Sequence, residues 1–474
     1  MTRYEEIAEG VITLINQGVL RPGDRIPSIR SASRSHQVNP LTVMQAYQLL
    51  ESQGWVAARP QSGYYVRARL VKRMAVPEMT RPTQQSVELD VSDFVFDILE
   101  ATRSRSAVPL GSAFPSPWLF PHERLSRSLT TAMRRIDPWS AVTNLPPGND
   151  ELRRQIALRY LAAGANVPVS EIVVTAGALE ALTLCLQAVT QPGDLVAIES
   201  PTFYACLQAI ERLRLKAIEI PTHPDEGVDL VALSQALLTH PIKVCWFMTN
   251  FQNPLGSLMP DCKKQALVDL LARHEVPLIE DDVYGELYFD RQPPRQTKSY
   301  DEKGLVMHCA SFSKSVAPGY RVGWVAAGRY SQAVQRLQFM TTLASSIPPQ
   351  VALADFLKYG GYEPHLRRLR RALATQLAMT SDAIARYFPE GTRLTKPQGG
   401  YFLWIELPVM VDAVALHRLA LSKGISIAPG PIFSAKREFR HFIRLNYGHP
   451  FTEQQEMGLA TLGELIKGMM VSST

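Results

Sequence analysis

The chain has no apolar run long enough to cross a membrane. Charges and prolines interrupt its hydrophobic stretches, as Glu406, Pro408 and Asp412 do within Phe402–Leu421, and a span needs about 18 uninterrupted apolar residues. Its five cysteines (Cys185, Cys206, Cys245, Cys262, Cys309) are odd in number, widely spaced and free of any Cys-x-x-Cys pair. That pattern supports neither a disulfide framework nor a zinc finger. The ten histidines are scattered and form no His-Glu-x-x-His motif, so no metal is expected. The opening Met-Thr-Arg-Tyr-Glu-Glu lacks the charged-then-apolar order of a secretory signal, and the expected location is the cytoplasm. Lysine is missing from the N-terminal region; the first is Lys72.

What is present is an ordinary globular mixture, 46% hydrophobic and 20% charged. A length of 474 residues corresponds to about three compact units, or two of which one is large. Residues 1–70 carry eight arginines against five acidic side chains. The planar guanidinium suits phosphate and base edges, although a solvated basic face gives the same count. Composition divides the chain into short amphipathic segments over residues 1–68, a polar, proline-punctuated stretch over 69–92 that reads as a linker, and a zone from 93 to 474. In the last zone apolar runs such as Glu171–Thr175, Leu195–Glu199, Val244–Thr249 and Pro277–Glu280 alternate with helical patterns, the βαβ signature of a parallel sheet.

In the first zone, Tyr4, Ile7, Ala8, Val11, Ile12 and Ile15 predict a helix over Arg3–Gln17 closing near Gly18. Ser28 is placed to cap a helix over Ile29–Ser35, and Asn39 to cap a third, Leu41–Gln53, with Pro40 at its first position. Strand-like runs Trp55–Ala58 and Tyr64–Val66 follow, joined by Arg-Pro-Gln-Ser-Gly. Helix, helix-turn-helix and hairpin make a winged helix, whose third helix would enter the major groove while Arg59 reaches phosphate. Three short helices are also compatible with a protein-interaction bundle. The runs Gly-Asp-Arg-Ile-Pro-Ser-Ile-Arg, Thr-Val-Met-Gln-Ala-Tyr-Gln-Leu-Leu-Glu-Ser-Gln-Gly and Arg-Pro-Gln-Ser-Gly-Tyr-Tyr-Val resemble the DNA-binding domain of GntR-type bacterial regulators over Arg3–Val66. The resemblance implies DNA contacts from Arg30, Arg34, Thr42, Gln45 and Arg59. It departs at Asn39-Pro40-Leu41, where the family commonly has Ser-Arg-x.

The most specific motif lies in the last zone: Ser311-Phe312-Ser313-Lys314-Ser315-Val316-Ala317-Pro318-Gly319-Tyr320-Arg321-Val322-Gly323-Trp324. A lysine among small hydroxyls in an apolar stretch is placed to be desolvated, which lowers its pKa and supplies a nucleophilic amine for a Schiff base. Ser311, Ser313 and Arg321 offer donors to a phosphate. Upstream, Glu280-Asp281-Asp282-Val283-Tyr284 follows a strand-like run, so that Asp281 suits a pyridinium nitrogen and Tyr284 a ring hydroxyl. Asn250-Phe251-Gln252-Asn253-Pro254 offers a second donor to that hydroxyl, and Thr175-Ala176-Gly177-Ala178-Leu179 opens a helix whose N–H groups suit phosphate. Singly, each reads equally well as a turn or cap. Their joint order after strands is what carries weight.

That set resembles the fold-type-I pyridoxal-phosphate enzymes of the aspartate aminotransferase class, from about Leu110 to Leu465. The resemblance implies pyridoxal 5'-phosphate as cofactor, with Lys314 as the Schiff-base lysine and Asp281 as the pyridine-nitrogen partner. Tyr284 and Asn253 take the ring hydroxyl, Phe203 stacks on the ring, and Ala178, Leu179, Ser311, Ser313 and Arg321 form the phosphate cup. Arg444 would hold a ligand carboxylate. Two features depart: Ala178 and Leu179 replace polar side chains, and Thr143 stands where the family has a tyrosine. A GntR-like winged helix fused to an aminotransferase-like domain resembles the MocR family of bacterial transcriptional regulators. The fold implied is an α+β winged helix followed by an α/β fold-type-I domain. The function implied is regulation of a double-stranded DNA promoter by a homodimer that senses a small amine or amino acid through aldimine exchange at Lys314. Such a chain would have vestigial or weak aminotransferase activity. A working aminotransferase with an appended DNA module, and a domain that binds pyridoxal phosphate itself as effector, are the rival readings.

Overall fold

The computed structural model describes residues 2–16, 19–21, 23–59, 62–66, 74–101, 107–134, 136–359 and 361–471. The chain divides into two compact units: Met1–Arg73 with Leu377–Tyr387, and Met74–Gln376 with Phe388–Thr474.

The small unit holds helices α1 (Arg3–Asn16), α2 (Ile29–His36) and α3 (Pro40–Ser52) and a hairpin of β1 (Val56–Arg59) and β2 (Gly63–Val66). Ile7, Ala8 and Val11 fall at helical spacing on α1 and bury against Ala32, Val43, Ala46, Tyr47, Leu50, Val56 and Val66. Both expected caps form: Ser28 Oγ accepts from Ser31 N at 3.2 Å and Asn39 Oδ1 from Leu41 N at 2.9 Å. The Tyr47 hydroxyl donates to the Pro27 carbonyl at 2.7 Å, tying α3 to the turn before α2. The hairpin pairs Val56 with Val66 and Arg59 with Gly63, and Gly63 takes the positive φ of 102° that the turn requires. The expected end of the first helix at Gln17 and Gly18 and the hairpin residues Pro60 and Gln61 lie outside the described residues.

In the large unit the strands are β3 (Val87–Glu88), β4 (Ile172–Thr175), β5 (Leu195–Ser200), β6 (Lys216–His223), β7 (Gly227–Val228), β8 (Ile242–Phe247), β9 (Leu278–Asp281), β10 (Val306–Ser311) and β11 (Gly323–Ala326). They form one sheet in the order β3-β6-β5-β8-β9-β10-β11-β4, with β7 on β6. The central pairs β6–β5–β8–β9–β10 are parallel, whereas β11 runs antiparallel to both β10 and β4. The alternating pattern therefore predicts the parallel core but not the reversed strand. The connection 312–322, whose one helical turn is the short 3-10 segment Pro318–Tyr320, returns the chain beside β10 with no α-helical crossover. A second sheet contains β12 (Arg393–Leu394), β13 (Phe402–Glu406), β14 (Ala428–Pro429) and β15 (Phe442–Asn446).

Helices of this unit include α4 (Ser92–Ala101), α5 (His122–Met133), α6 (Ser140–Thr143), α7 (Asp150–Ala162), α8 (Ala178–Val189) and α9 (Tyr204–Arg212). Strand residues alternate between two cores. Val196, Ile198, Trp246, Ile279, Met307 and Cys309 face α8 and α9, while Ala197, Phe247, Leu278 and Val306 face the helices Leu230–Thr239 and Asp261–His274. Two residues further on in the same register, Asp281 and Ser311 lie on the α8 side.

The segment read as a linker over 69–92 differs in the structure. Residues 69–73 lie outside the described part. From Met74 onward the chain runs along the large unit. The Ala75 carbonyl accepts from Leu394 N at 2.8 Å, and Thr80 Oγ1 donates to the Ser200 carbonyl at 2.6 Å. Val87–Glu88 pairs antiparallel with β6, and Val91 is buried in the core. An edge strand of a parallel sheet offers backbone partners to any extended segment, whatever its side-chain pattern.

Candidate functional site

Lys314 follows the C-terminal end of β10, with Asp281 at the end of β9 and Tyr284 just beyond it. The amine of half-buried Lys314 donates to the Ala113 carbonyl at 3.0 Å and lies 3.8 Å from the centre of the Phe114 ring. Burial, with repulsion from Arg444 and Arg321, pushes its pKa down to about 7 against the opposing pull of Asp281. Asp281 ends β9 and is 1% exposed, and its Oδ1 has no hydrogen-bond partner. Burial and the neighbouring Asp282 charge push its pKa up to about 7, with Lys314 opposing. Buried, unpaired carboxylate oxygens are costly. Oδ1 is thus a vacant acceptor.

Tyr284 is buried, and burial raises its hydroxyl well above the usual phenol range. The Asn253 Nδ2 donates to that hydroxyl at 3.5 Å, while Asn253 Oδ1 accepts from Arg444 Nη1 at 3.0 Å, which fixes the orientation of the amide. Arg444, on β15, is fully buried. Its Nη2 donates to the Gly111 carbonyl at 3.0 Å, and its Nε has no partner. The Phe402 ring lies 4.1 Å from its guanidinium carbon. Burial lowers its pKa, with the phenols of Tyr204, Tyr284 and Tyr401 opposing.

The loop before α8 meets the one after Lys314. Gly177 takes φ of 97°, and a Cβ there would lie 2.4 Å from Arg321 Nη2. A Cβ on Gly323 would lie 2.6 Å from Ala178 N. Gly323 therefore lets the two backbones approach and Gly177 leaves room for the Arg321 guanidinium, which reaches Ser313 Oγ at 3.3 Å and the Ala176 carbonyl at 3.4 Å. Ser311 and Ser313 are buried beside it. The first N–H groups of α8 have no acceptor within the helix, so this corner presents donors and a cation to an anion.

The structure thus brings together Lys314, Asp281, Tyr284, Asn253, Arg444, Ala178, Ser311, Ser313 and Arg321. Leu179 turns its side chain outward, at 47% exposed. Phe203 stands at the start of α9 with its ring 4.6 Å from Tyr204, and it is Tyr204 whose hydroxyl responds to Arg444. Thr143, at the end of α6, is exposed. Sequence reasoning missed the carbonyls of Gly111, Ser112 and Ala113, since main-chain acceptors leave no signature in side-chain pattern. It also missed the network on Asp282, the next residue after Asp281. There His308 bonds Asp282 at 3.0 Å and Tyr160 at 2.6 Å, and Trp324 donates to Tyr160 at 3.0 Å. Burial pulls the His308 pKa down, and Asp282 and Glu280 more than reverse this, so that it ends raised.

On the small unit, Arg30 and Arg34 on α2, Gln45 on α3 and Arg59 on β1 are exposed, and Thr42 on α3 is partly so. The Arg59 guanidinium lies 4.2 Å from the centre of the Tyr65 ring across the hairpin. Among the described residues, no group of three or more His, Cys, Asp or Glu is placed to hold a metal, and no helix is long and apolar enough to cross a membrane.

A winged helix followed by a fold-type-I unit with this lysine, aspartate and arginine defines a class, the GntR-type transcriptional regulators with an aminotransferase-like domain. Comparison with known proteins agrees. Residues 126–458 match the family described as aminotransferase class I and II, and residues 3–66 match the bacterial regulatory proteins of the gntR family. The chain belongs to the aminotransferase class I and II family and carries a gntR-family domain in front of it, the architecture of the MocR-type regulators. It is 48% identical to the uncharacterized HTH-type transcriptional regulator YdcR of Escherichia coli over 98% of this chain and 99% of that protein. It is 40% identical to YjiR, an uncharacterized HTH-type regulator of the same organism, over the same shares. Among solved structures, the multiple substrate aminotransferase of Thermococcus profundus superposes with a TM-score of 0.75 at 26% identity, covering 81% of this chain and 96% of that one.

Proposed function

We propose that this regulator holds pyridoxal 5'-phosphate on Lys314, binds double-stranded promoter DNA through its winged helix as a homodimer, and takes a small amine or amino acid as its effector. The observation that carries the cofactor assignment is the buried, unpartnered Asp281 Oδ1, on a residue whose charge acts on a lysine amine of lowered pKa. A pyridine nitrogen is the partner such a carboxylate lacks. Tyr284 and Asn253 suit the ring hydroxyl, and the corner of Ala178, Ser311, Ser313 and Arg321 suits the phosphate. When bound, the cofactor supplies an electrophilic carbon that captures amines. The chain's own residues do the rest: Lys314 provides the amine that an effector displaces, Asp281 holds a proton on the ring nitrogen, and Arg444 pairs a carboxylate through its free Nε. Dimerisation is supported by exposed apolar side chains beside the site. Trp139, Leu145, Leu179, Phe339, Met340 and Leu343 lie on segments joined by the Asn144–Ser345 and Thr342–Glu180 hydrogen bonds.

Borohydride reduction followed by peptide mapping tests the reading. A stable adduct is expected on Lys314, with none in Lys314→Ala; modification at another lysine would overturn the assignment. The intact set of Lys314, Asp281, Tyr284 and Arg444 also supports the alternative of a working aminotransferase. Steady turnover at about 1 s⁻¹ or faster with amino acid and 2-oxoacid pairs would favour it.

A further inference from the structure

The segment Gly111–Phe114 crosses the site and is fixed there by its main chain. Arg444 Nη2 donates to the carbonyls of Gly111 and Ser112, and Asn446 Nδ2 donates to those of Ser112 and Phe114, at 2.9 and 2.7 Å. Ala113 accepts from both Lys314 and the Tyr401 hydroxyl. A Cβ on Gly111 would meet the Ile427 backbone at 2.7 Å, so the segment is seated too closely for any other residue there. The Phe114 side chain, by contrast, is 38% exposed, with its ring against the Lys314 amine. Its backbone is held while its face remains available to a ligand.

The second ring near that amine is Tyr284, 6.0 Å from Nζ. Tyr401 and Phe402 pack edge-on against Tyr284, and all three are buried, so that Phe114 is the ring of this group with exposed surface. The charges acting on Lys314 are Arg444, Arg321 and Asp281. Each has a task in the reading above: ligand carboxylate, phosphate and ring nitrogen. With those three engaged, the side chain nearest the amine is the partly exposed Phe114 ring, and the imidazole bonded to the Phe114 carbonyl, His449, has its pKa lowered by burial and so favours the neutral form. An amine that takes the place of the Lys314 amine has the Phe114 face beside its substituent.

We propose that Phe114 determines ligand specificity at this site and that the preferred effector class is α-amino acids with an aromatic or large apolar side chain. The proposal rests on the reading of Lys314 and Arg444 as the amine and carboxylate anchors. In a hydrophobic pocket even one methylene more or less is worth about 10- to 200-fold in discrimination. A large apolar side chain on the Phe114 ring is therefore favoured at least at the lower end of that range, whereas a charged side chain left there without a partner is penalised.

The test uses the full-length protein loaded with pyridoxal phosphate. Titration calorimetry, with the cofactor absorbance followed in parallel, compares α-methyl derivatives of phenylalanine, alanine and aspartate, which lack the α-proton and so report binding without turnover. The phenylalanine derivative is expected to bind about tenfold or more tightly than the other two. In Phe114→Ala the ratio between the phenylalanine and alanine derivatives should fall towards one, with Phe114→Leu between wild type and Phe114→Ala. A preference for the aspartate derivative, or a ratio unchanged in Phe114→Ala, would overturn the role of Phe114. Binding of the alanine derivative that is lost in Arg444→Ala shows that the anchors stand independently of that result. If no derivative binds even to wild type, the anchor reading fails and the specificity proposal fails with it.

Discussion

An amine attacks a carbonyl only after it has lost its proton, and the surroundings of Lys314 decide at what pH that happens. With its pKa pushed down to about 7, the amine is neutral and reactive above that pH and protonated and inert below it. The rate of adduct formation with added pyridoxal phosphate should therefore rise through neutrality with a midpoint near that value, as stopped-flow absorbance will show. The neighbours push in opposite directions. Removing the repelling guanidinium in Arg444→Ala should move the midpoint up, and removing the attracting carboxylate in Asp281→Asn should move it down. Identical midpoints in all three proteins would mean that burial alone sets the lysine. Asp281 presents the complementary case. Its folded pKa is raised to about 7 from an ordinary 3.8, so burial favours its protonated form. Its contribution to stability is greatest in acid and is lost as pH rises through about 7. A pyridinium at Oδ1 would reverse that sign by favouring the charged carboxylate, and so would counter the loss at neutral pH.

At the level of elements, the anion corner depends on how closely β11 approaches the start of α8. A side chain at Gly323 would collide with backbone at Ala178 N and with the Ala310 carbonyl, 2.6 and 2.9 Å away. Gly323→Ala is expected to lower unfolding stability by about 1–3 kcal/mol and to weaken cofactor retention together with it. Gly319→Ala, whose new methyl would meet nothing within 4 Å, should change neither; urea titration of both variants checks this. How far such elements are legible in sequence follows from what encodes them. The caps at Ser28 and Asn39 and the apolar face of α1 are local, so side-chain type and spacing suffice. The carboxylate at the end of β9 is equally local, since strand and turn adjoin in the chain. The antiparallel return of β11 is not, because Gly323–Ala326 reads as another short apolar strand and its direction depends on the preceding loop. The attachment of residues 74–92 to the large unit combines the β3–β6 pairing with bonds to side chains distant in sequence, such as Glu211 to Val91 and Ser92, to which a polar, proline-punctuated sequence gives no clue. For the same reason the Gly111–Ala113 carbonyls that meet Arg444 and Lys314 were invisible.

For the whole molecule, a regulator needs more than a DNA-reading unit and a ligand-binding unit, because the ligand must change DNA affinity. On the proposed reading, that requires the effector to bind two states of the protein with different affinities, and the largest shift it can cause equals that difference. The DNA term is electrostatic in large part. With Arg30, Arg34 and Arg59 exposed on the winged helix, affinity for a site of two half-sites should fall steeply with salt. Arg59→Ala should flatten that dependence with little change in sequence preference, the behaviour of a phosphate contact. The proposed effector would act on this same equilibrium. A coupling of about 1–3 kcal/mol would change promoter affinity roughly 5- to 150-fold, measurable by fluorescence anisotropy with the cofactor-loaded protein. Lys314→Ala should remove the response to amine while retaining DNA binding, because the arginines proposed to meet DNA belong to the other compact unit. If the Lys314→Ala protein still responds fully to the amine, sensing does not pass through the lysine. If wild type responds to pyridoxal phosphate and not to amines, the cofactor is itself the signal, and the site built around Lys314 reports its supply.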